Sequence, residues 1–364
     1  MPTQDQSQQP RVAILIEQNV EDAEFQIPYN ALKQAGAQVV VLGSRVNEEY
    51  KGKQGKLSIK ADATTTESFA SDFDAVVIPG GMAPDRMRTN MKTVRFVQDA
   101  FGLGILVAAV CHGPQVLIEG DLLSGIRATG FRSIRKDMQN AGANFVDEPL
   151  VVADNLITSR RPGDLPMFTT AILQYLGLRI PELALPEVAD LQANWLLLSE
   201  AWGGDRKSDV VNALNTAIAG ERYGLEVFEH YAGNAVDEST RDVFQSICAN
   251  KQRHLQVLES RLGQLGETPS LQVTAGVAMA NLRNWFQTRQ QDVDILRRAL
   301  GDLQTGVVDT YNLRNKVTEP VTADIFDQME VTLARDEQSI ADLYRERMEE
   351  IRPPQPTSRP AVTG

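Results

Sequence analysis

In the stretch AVCHGP, residues 109–114, a thiol stands beside an imidazole, Cys111 next to His112, in a chain with only two cysteines and three histidines. A thiol with a proton acceptor at hand can act as a nucleophile. The preceding run GILVAAV, 104–110, is continuous and apolar, as a strand buried on both faces would be. A helix is expected over roughly 113–120, so Cys111 falls on a strand–turn–helix corner of the nucleophile-elbow kind. Such a corner puts the sulfur at the carboxyl end of a strand, where open α/β sheets bind ligands. It also faces the sulfur toward a helix N-terminus, which favours a thiolate. Gly113 would allow the tight turn and remove a Cβ that crowds the sulfur. The competing reading is a small, inert, buried cysteine.

Two further stretches could serve the same chemistry. VVIPGG, 76–81, ends an apolar run with Gly80 and Gly81. In a parallel sheet its carboxyl end would lie near that of the Cys111 strand. The backbone N–H groups of Gly81 and His112 would then form an oxyanion hole; otherwise this is a plain glycine turn. NVEDAEFQIP, 19–28, crowds Glu21, Asp22 and Glu24 into the start of a helix. Acidic residues there complement the helix dipole, but three exceed what a cap requires. His112 is the one histidine in residues 1–178. A Cys–His pair in this half must therefore use His112, or a histidine borrowed from the second half. The side chain after an elbow cysteine tends to point away from it, which makes help from another subunit plausible.

The elements that must position these groups follow from the apolar pattern. RVAILI (11–16), AQVVVL (37–42), DAVVIP (74–79) and GILVAAV (104–110) read as buried strands. DAEFQIPYNALKQAG (22–36) and PDRMRTNMKTVRFVQDAFG (84–102) read as amphipathic helices. A pair of strands near 145–159 and a closing helix near 163–176 complete an α/β domain over 11–178, a doubly wound parallel sheet with helices on both faces. Prolines 181 and 186 mark a linker over 179–207 that carries a short helix around 187–201. Long helical periods then run over about 208–233, 238–265, 272–315 with a break, and 321–350, which predicts a four-helix bundle over 208–351. Residues 1–10 and the proline-rich 352–364 are expected to be disordered tails.

The formal net charge is −12. Residues 1–178 hold 17 basic against 20 acidic side chains, −3, and the remainder 19 against 28, −9. This balance argues against nucleic acid as a partner. Two cysteines suit a reducing compartment. No run approaches a membrane span, and MPTQDQSQQP shows no signal pattern, so the expectation is a cytoplasmic protein that does not engage a membrane.

On the motifs VEDAEFQIPYNALKQAG, DAVVIPGGMAPDRMR, AVCHGPQVL and IRKDMQNAGANFVDEPLVVADNLITSRRPGDLP, the first 178 residues resemble the ThiJ/PfpI superfamily and, within it, the PfpI intracellular-protease branch. The resemblance implies a flavodoxin-like, class I glutamine amidotransferase-like fold. It assigns Cys111 as the nucleophile and His112 as the histidine that pairs with it across a subunit contact. Glu24 matches a protonated carboxyl that donates a hydrogen bond to the thiolate. Asp85 stands where the branch has a glutamate supplied by a neighbouring subunit, and it is one methylene shorter. Phe131 stands where the branch often has a tyrosine, which removes one polar contact to a substrate. Gly80, Gly113 and Phe131 would line the pocket.

The helical half, over VVNALNTAIAGERYGLEVFEHYA and FQSICANKQRHLQVLESRLGQLGETPS, resembles ferritin-like proteins. Di-iron members place Glu on two helices and Glu-x-x-His on the other two. Glu221 fits the first helix and Asp302 the third. On the second, Lys251 replaces the Glu, with His254 present. On the fourth, Asp336 and Ser339 stand in for Glu and His. A cation at Lys251 opposes metal binding, so a bundle without a working di-iron centre is expected. Cys248 is expected as a buried helix residue. His230 with Glu226 reads as an ion pair or, less readily, a metal site.

The leading expectation is a cofactor-free cysteine hydrolase or lyase acting on reactive carbonyls, as a glyoxalase or deglycase, or on peptides, in stress protection. A small aldehyde is preferred, and a homo-oligomer with the site near a subunit interface. The alternatives are a redox-sensing or stress-binding protein that uses the Cys111 thiolate, with the bundle as an oligomerisation module, and an assembly protein with a vestigial cysteine site.

Overall fold

The computed structural model describes residues 9–270 and 291–351. Residues 272–290 of the third expected helical period, Trp285 among them, most of the first expected tail and all of the second lie outside those residues. The chain forms two compact units. The first comprises residues up to Val210 together with Arg314–Asp324, and the second comprises Val211–Leu313 and the chain from Ile325 onward.

Among the described residues the first unit holds eleven strands: β1 (Arg11–Leu15), β2 (Gln38–Gly43), β3 (Glu49–Lys51), β4 (Ser58–Lys60), β5 (Ala63–Thr64), β6 (Ala75–Ile78), β7 (Leu106–Val110), β8 (Arg127–Ala128), β9 (Asn144–Phe145), β10 (Leu150–Ala153) and β11 (Leu156–Ser159). Seven form one sheet in the order β10-β11-β7-β6-β1-β2-β5. All neighbours are parallel except the edge pair β10–β11. β6 and β7 are buried along their whole length, and β1 beyond its first residue, because helices cover both faces. The helices of this unit are α1 (Asp22–Gln34), α2 (Ala83–Met87), α3 (Met91–Gly102), α4 (Pro114–Glu119), α5 (Arg135–Asn140), α6 (Leu165–Tyr175) and α7 (Trp195–Ala201). The doubly wound α/β architecture is as expected.

Three details differ. The single helix expected over 84–102 is two, α2 and α3, because Asn90 leaves the helical region and caps α3 by accepting from Lys92 N–H at 3.1 Å. The short helix in the expected linker begins only at Trp195, where Asn194 accepts from Leu197 N–H. That linker is not a bare connection: Trp195, Leu198 and Trp202 are buried in the core of the first unit. Their apolar area outweighs the proline signal that set the expectation.

The long helices are α8 (Lys207–Asn234), α9 (Glu238–Gln264), α10 (Asp292–Lys316) and α11 (Pro320–Ile351). Val227, Phe228, Tyr231, Phe244, Ile247, Leu296, Leu303, Leu333 and Ile340 from all four form the core of the second unit. No helix among the described residues is long and apolar enough to cross a membrane.

Candidate functional site

β1, β6 and β7 are adjacent, so their carboxyl ends converge at the point where the strand order reverses. Cys111 follows β7 directly and takes a left-handed conformation, φ 61°. A non-glycine residue pays strain for that geometry and needs support on both sides. Cys111 N–H donates to Ser159 O at 3.0 Å, and Phe131 N–H donates to Cys111 O at 2.9 Å. The turn closes with Gly113 N–H on Val110 O at 2.8 Å. Gly113 is itself right-handed, φ −48°. Its role therefore differs from the expected one: the corner's unusual dihedral falls on Cys111, while a Cβ at 113 would strike the carbonyl of Ile78.

Glu24, on the first turn of α1, is fully buried and accepts from Gly80 N–H at 2.8 Å. Its carboxyl also interacts with the Cys111 thiol. A Cβ on Gly80 would stand 2.6 Å from Glu24 Oε2 and 2.8 Å from both Cys111 Cβ and His112 N, so only glycine fits between them. Burial first, and the Glu21 charge second, push the Glu24 carboxyl up from 4.5 to about 8. It is therefore mostly protonated at neutral pH. Burial, then the Glu24 carboxylate, push the Cys111 thiol up, while Gly81 N–H, which faces the sulfur, pulls it down. The sequence reading expected a thiolate favoured by a helix N-terminus. α4 is only six residues long, and desolvation outweighs any dipole it carries.

His112 Nδ1 lies 3.2 Å from Cys111 Sγ. The side chain after the elbow thus folds back to the sulfur within one chain, against the expectation that it points away. Nε2 lies 3.1 Å from Ser133 Oγ. Phe131 stacks on the imidazole with ring centroids 4.9 Å apart and planes at 30°. Burial first, then the Lys53 charge, lower the His112 pKa, and Asp85 opposes them. Asp85 acts on the imidazole only at a distance in this chain, because its carboxylate takes Gln115 Nε2 at 3.3 Å.

The three acidic residues opening α1 have separate tasks. Glu24 faces the thiol. Glu21 pairs with Lys53 at 3.3 Å. Asp22, 2% exposed, accepts the backbone N–H groups of Gln54, Lys56 and Leu57 at 2.6, 2.8 and 2.7 Å, which fixes the β3–β4 connection carrying Lys53. Sequence reasoning missed Ser133 and Lys53. Neither sits at a telling spacing from Cys111; sheet order and the Asp22 clamp bring them in.

The ferritin-type positions in the second unit come together differently. Glu221 Oε2 meets His254 Nδ1 at 3.2 Å and Lys251 Nζ at 3.5 Å. Asp336 accepts Asn250 Nδ2 at 2.7 Å, and Asp302 accepts the Tyr231 hydroxyl. The residues do not fit a dinuclear metal centre: an ammonium occupies the carboxylate they would share. Among the described residues no three His, Cys, Asp or Glu side chains are grouped to hold an ion, and this includes His230 and Glu226. Cys248 is half-buried rather than buried.

Residues 10–175 match the DJ-1/PfpI family. General stress protein 18 of Bacillus subtilis is 41% identical over 167 residues, 46% of this chain and 97% of its own length. Protein/nucleic acid deglycase 2 of Escherichia coli is 39% identical over 168 residues, 46% of this chain and 98% of its own. A crystal structure of a two-domain protein from Anabaena variabilis, with DJ-1/ThiJ/PfpI-like and ferritin-like domains, is 55% identical, covers 96% of this chain and 100% of its own, and superposes with a TM-score of 0.87. The strand order, the left-handed cysteine corner and these matches agree, and the chain belongs to the DJ-1/PfpI family, with a ferritin-like helical region following the α/β domain.

Proposed function

We propose that the chain is a cysteine-dependent enzyme acting on small reactive carbonyls, of the glyoxalase or deglycase kind, in stress protection. The observation that carries this reading is the set of groups around one sulfur. His112 Nδ1 stands 3.2 Å from Cys111 Sγ, the protonated Glu24 carboxyl lies against the thiol, and Gly81 N–H faces it. His112, held neutral by burial and Lys53, takes the thiol proton at Nδ1. The sulfur attacks the aldehyde carbon, and an S–C bond forms as the carbonyl π bond breaks. The N–H groups of Gly81 and His112 hold the resulting oxyanion, which takes the proton back from His112 to give a hemithioacetal. Ser133 orients the imidazole from Nε2. Asp85 would add a closer contact only from a neighbouring copy, in line with an oligomer.

The name of one relative, a protein/nucleic acid deglycase, supports the deglycase reading, and that of another, a general stress protein, supports the role in stress protection. A redox-sensing role draws less support, because such a role needs an exposed, low-pKa thiolate and Cys111 is 6% exposed with its thiol pushed up. The test is turnover of methylglyoxal to lactate by wild type and by Cys111→Ser. Turnover lost in the variant supports the proposal. Absence of turnover in both rejects this aldehyde as the substrate, and peroxide titration of the thiol then tests the sensor role.

A further inference from the structure

The family match ends at residue 175, and the two single-domain relatives are used up, to 97–98% of their length, in alignments of 167 and 168 residues. Arg314 has no counterpart in them. Yet the short stretch Arg314–Asp324 belongs to the first unit, and Arg314 is 2% exposed there, with its guanidinium carbon 5.7 Å from the centre of the Phe131 ring. That ring is the one stacked on His112. The stretch is well anchored. Thr318 Oγ1 lies 2.8 Å from Ser199 Oγ and accepts Asp205 N–H at 2.7 Å. Asp324 pairs with the buried Arg161 at 3.5 Å, and Ala323 packs on Gly163 so closely that a Cβ there would collide. Glu319 accepts the N–H groups of Val321 and Thr322 at 2.9 and 2.8 Å and starts α11.

We infer that Arg314 is a positioning residue of the Cys111 site, acting through Phe131 to fix and hold neutral the His112 imidazole. The inference rests on the proposal that His112 serves Cys111. Nδ1 can receive the thiol proton only while the ring keeps its orientation. Ser133 restrains that ring at one edge and Phe131 across one face. An aromatic face attracts a cation. A guanidinium drawn to the same π system competes for it with a protonated imidazole, so Arg314 favours the neutral base. The charges that act directly on His112 are Lys53 from the β3–β4 connection, which lowers its pKa, and Asp85 from α2, which raises it; Arg314 reaches it through the Phe131 ring. Arg314 adds, from outside the family domain, a hold on the base that the shorter relatives cannot have.

The test uses the full chain in a Cys248→Ala background, so that alkylation by iodoacetamide reports Cys111 alone. Arg314→Met, Arg314→Lys, Phe131→Leu and the double variant Arg314→Met/Phe131→Leu are compared. Two readouts are taken, the pH profile of alkylation and the NMR titration of His112, one of three histidines in the chain. Arg314→Met is expected to slow alkylation near neutral pH about three- to tenfold and to raise the His112 midpoint, with Arg314→Lys near wild type. Phe131→Leu moves both readouts in the same direction, and Arg314→Met adds nothing in that background. Unchanged profiles, or effects that simply add in the double variant, overturn the inference. Should Arg314→Met fail to fold, Arg314→Gln is put through the same cycle and judged by the same two criteria. His112→Asn distinguishes the two levels of failure: if it leaves alkylation unchanged, the assignment of His112 as the base is what fails.

Discussion

Replacing Glu24 by Gln tests the electrostatics of the site more directly than any other change. The Glu24 carboxyl is fully buried, and burial with the Glu21 charge raises it from 4.5 to about 8. Unfolded, the same group ionises near 4.5. Between those two pH values the folded chain keeps a proton that the unfolded chain has released, so the stability contributed by Glu24 is complete below 4.5 and lost as pH rises through about 8. At about 1.4 kcal/mol per pH unit that window sets a ceiling of about 5 kcal/mol, and water entry and relaxation bring the expected loss to about 2–4 kcal/mol. Gln preserves the contacts of the neutral acid, because its oxygen can accept from Gly80 N–H while its NH2 donates to the sulfur. The variant thus removes the titration and leaves the packing. Urea unfolding of the α/β unit, followed by Trp195 and Trp202 fluorescence in a Trp285→Phe background, should show the wild type losing about 2–4 kcal/mol more than Glu24→Gln between pH 5 and pH 9. The Cys111 alkylation midpoint should also fall in the variant, since the Glu24 charge, after burial, is what holds the thiol up. Parallel stability profiles for the two proteins would refute the assignment of Glu24 as a buried neutral acid.

Other perturbations separate the supporting groups. Ser133→Ala removes the Nε2 partner of His112, and kcat should drop about two- to tenfold with little change in Tm. Asp22→Ala strands the N–H groups of Gln54, Lys56 and Leu57 and should cost about 2–4 kcal/mol in urea, with Asp22→Asn recovering part of it. In the second unit, Lys251→Met leaves Glu221 buried with His254 as its remaining partner in the pair and should destabilise by about 2–4 kcal/mol, whereas Lys251→Met/Glu221→Gln should recover most of the loss. A double variant no more stable than the single would mean that the ammonium does not balance that carboxylate.

The sheet was readable because a strand buried on both faces has to be apolar at every position. RVAILI, DAVVIP and GILVAAV each enclose an observed strand, β1, β6 and β7, while AQVVVL covers all of β2 but its last residue, Gly43, and β2 is exposed or half-buried over Gln38–Val40. The cysteine corner was readable for a similar reason, since a strand that stops at Cys-His-Gly-Pro has few ways to continue. What escaped are groups whose meeting depends on three-dimensional order. Ser133 lies 21 residues beyond His112 in a short 3-10 turn, Arg132–Ile134, that follows Phe131, whose N–H donates to Cys111 O. Lys53 arrives through a connection held by Asp22, a residue whose charge alone suggested only a helix start. The α2–α3 break depends on one asparagine in a sequence that is amphipathic on both sides of it. Asp85 was found in sequence, and its reach to His112 was not, because Gln115 takes its carboxylate.

Burial of Cys111 does not conflict with the nucleophilic role proposed for it. A standing thiolate in this site would be poorly solvated and would face Glu24 and Glu21, which is why the thiol is pushed up. In the reaction proposed, the negative charge does not remain on sulfur: it passes to the carbonyl oxygen as the S–C bond forms. The groups that would meet it there are neutral donors, the N–H groups of Gly81 and His112, and the carboxyl behind the sulfur is itself neutral below about 8. The same arrangement disfavours oxidation, which needs a thiolate at rest. In that proposal a proton leaves Cys111 only when a base in the right orientation can take it and an electrophile can accept the charge. That makes the orientation of His112, fixed by Ser133 at one edge and Phe131 across its face, the controlling variable of the site.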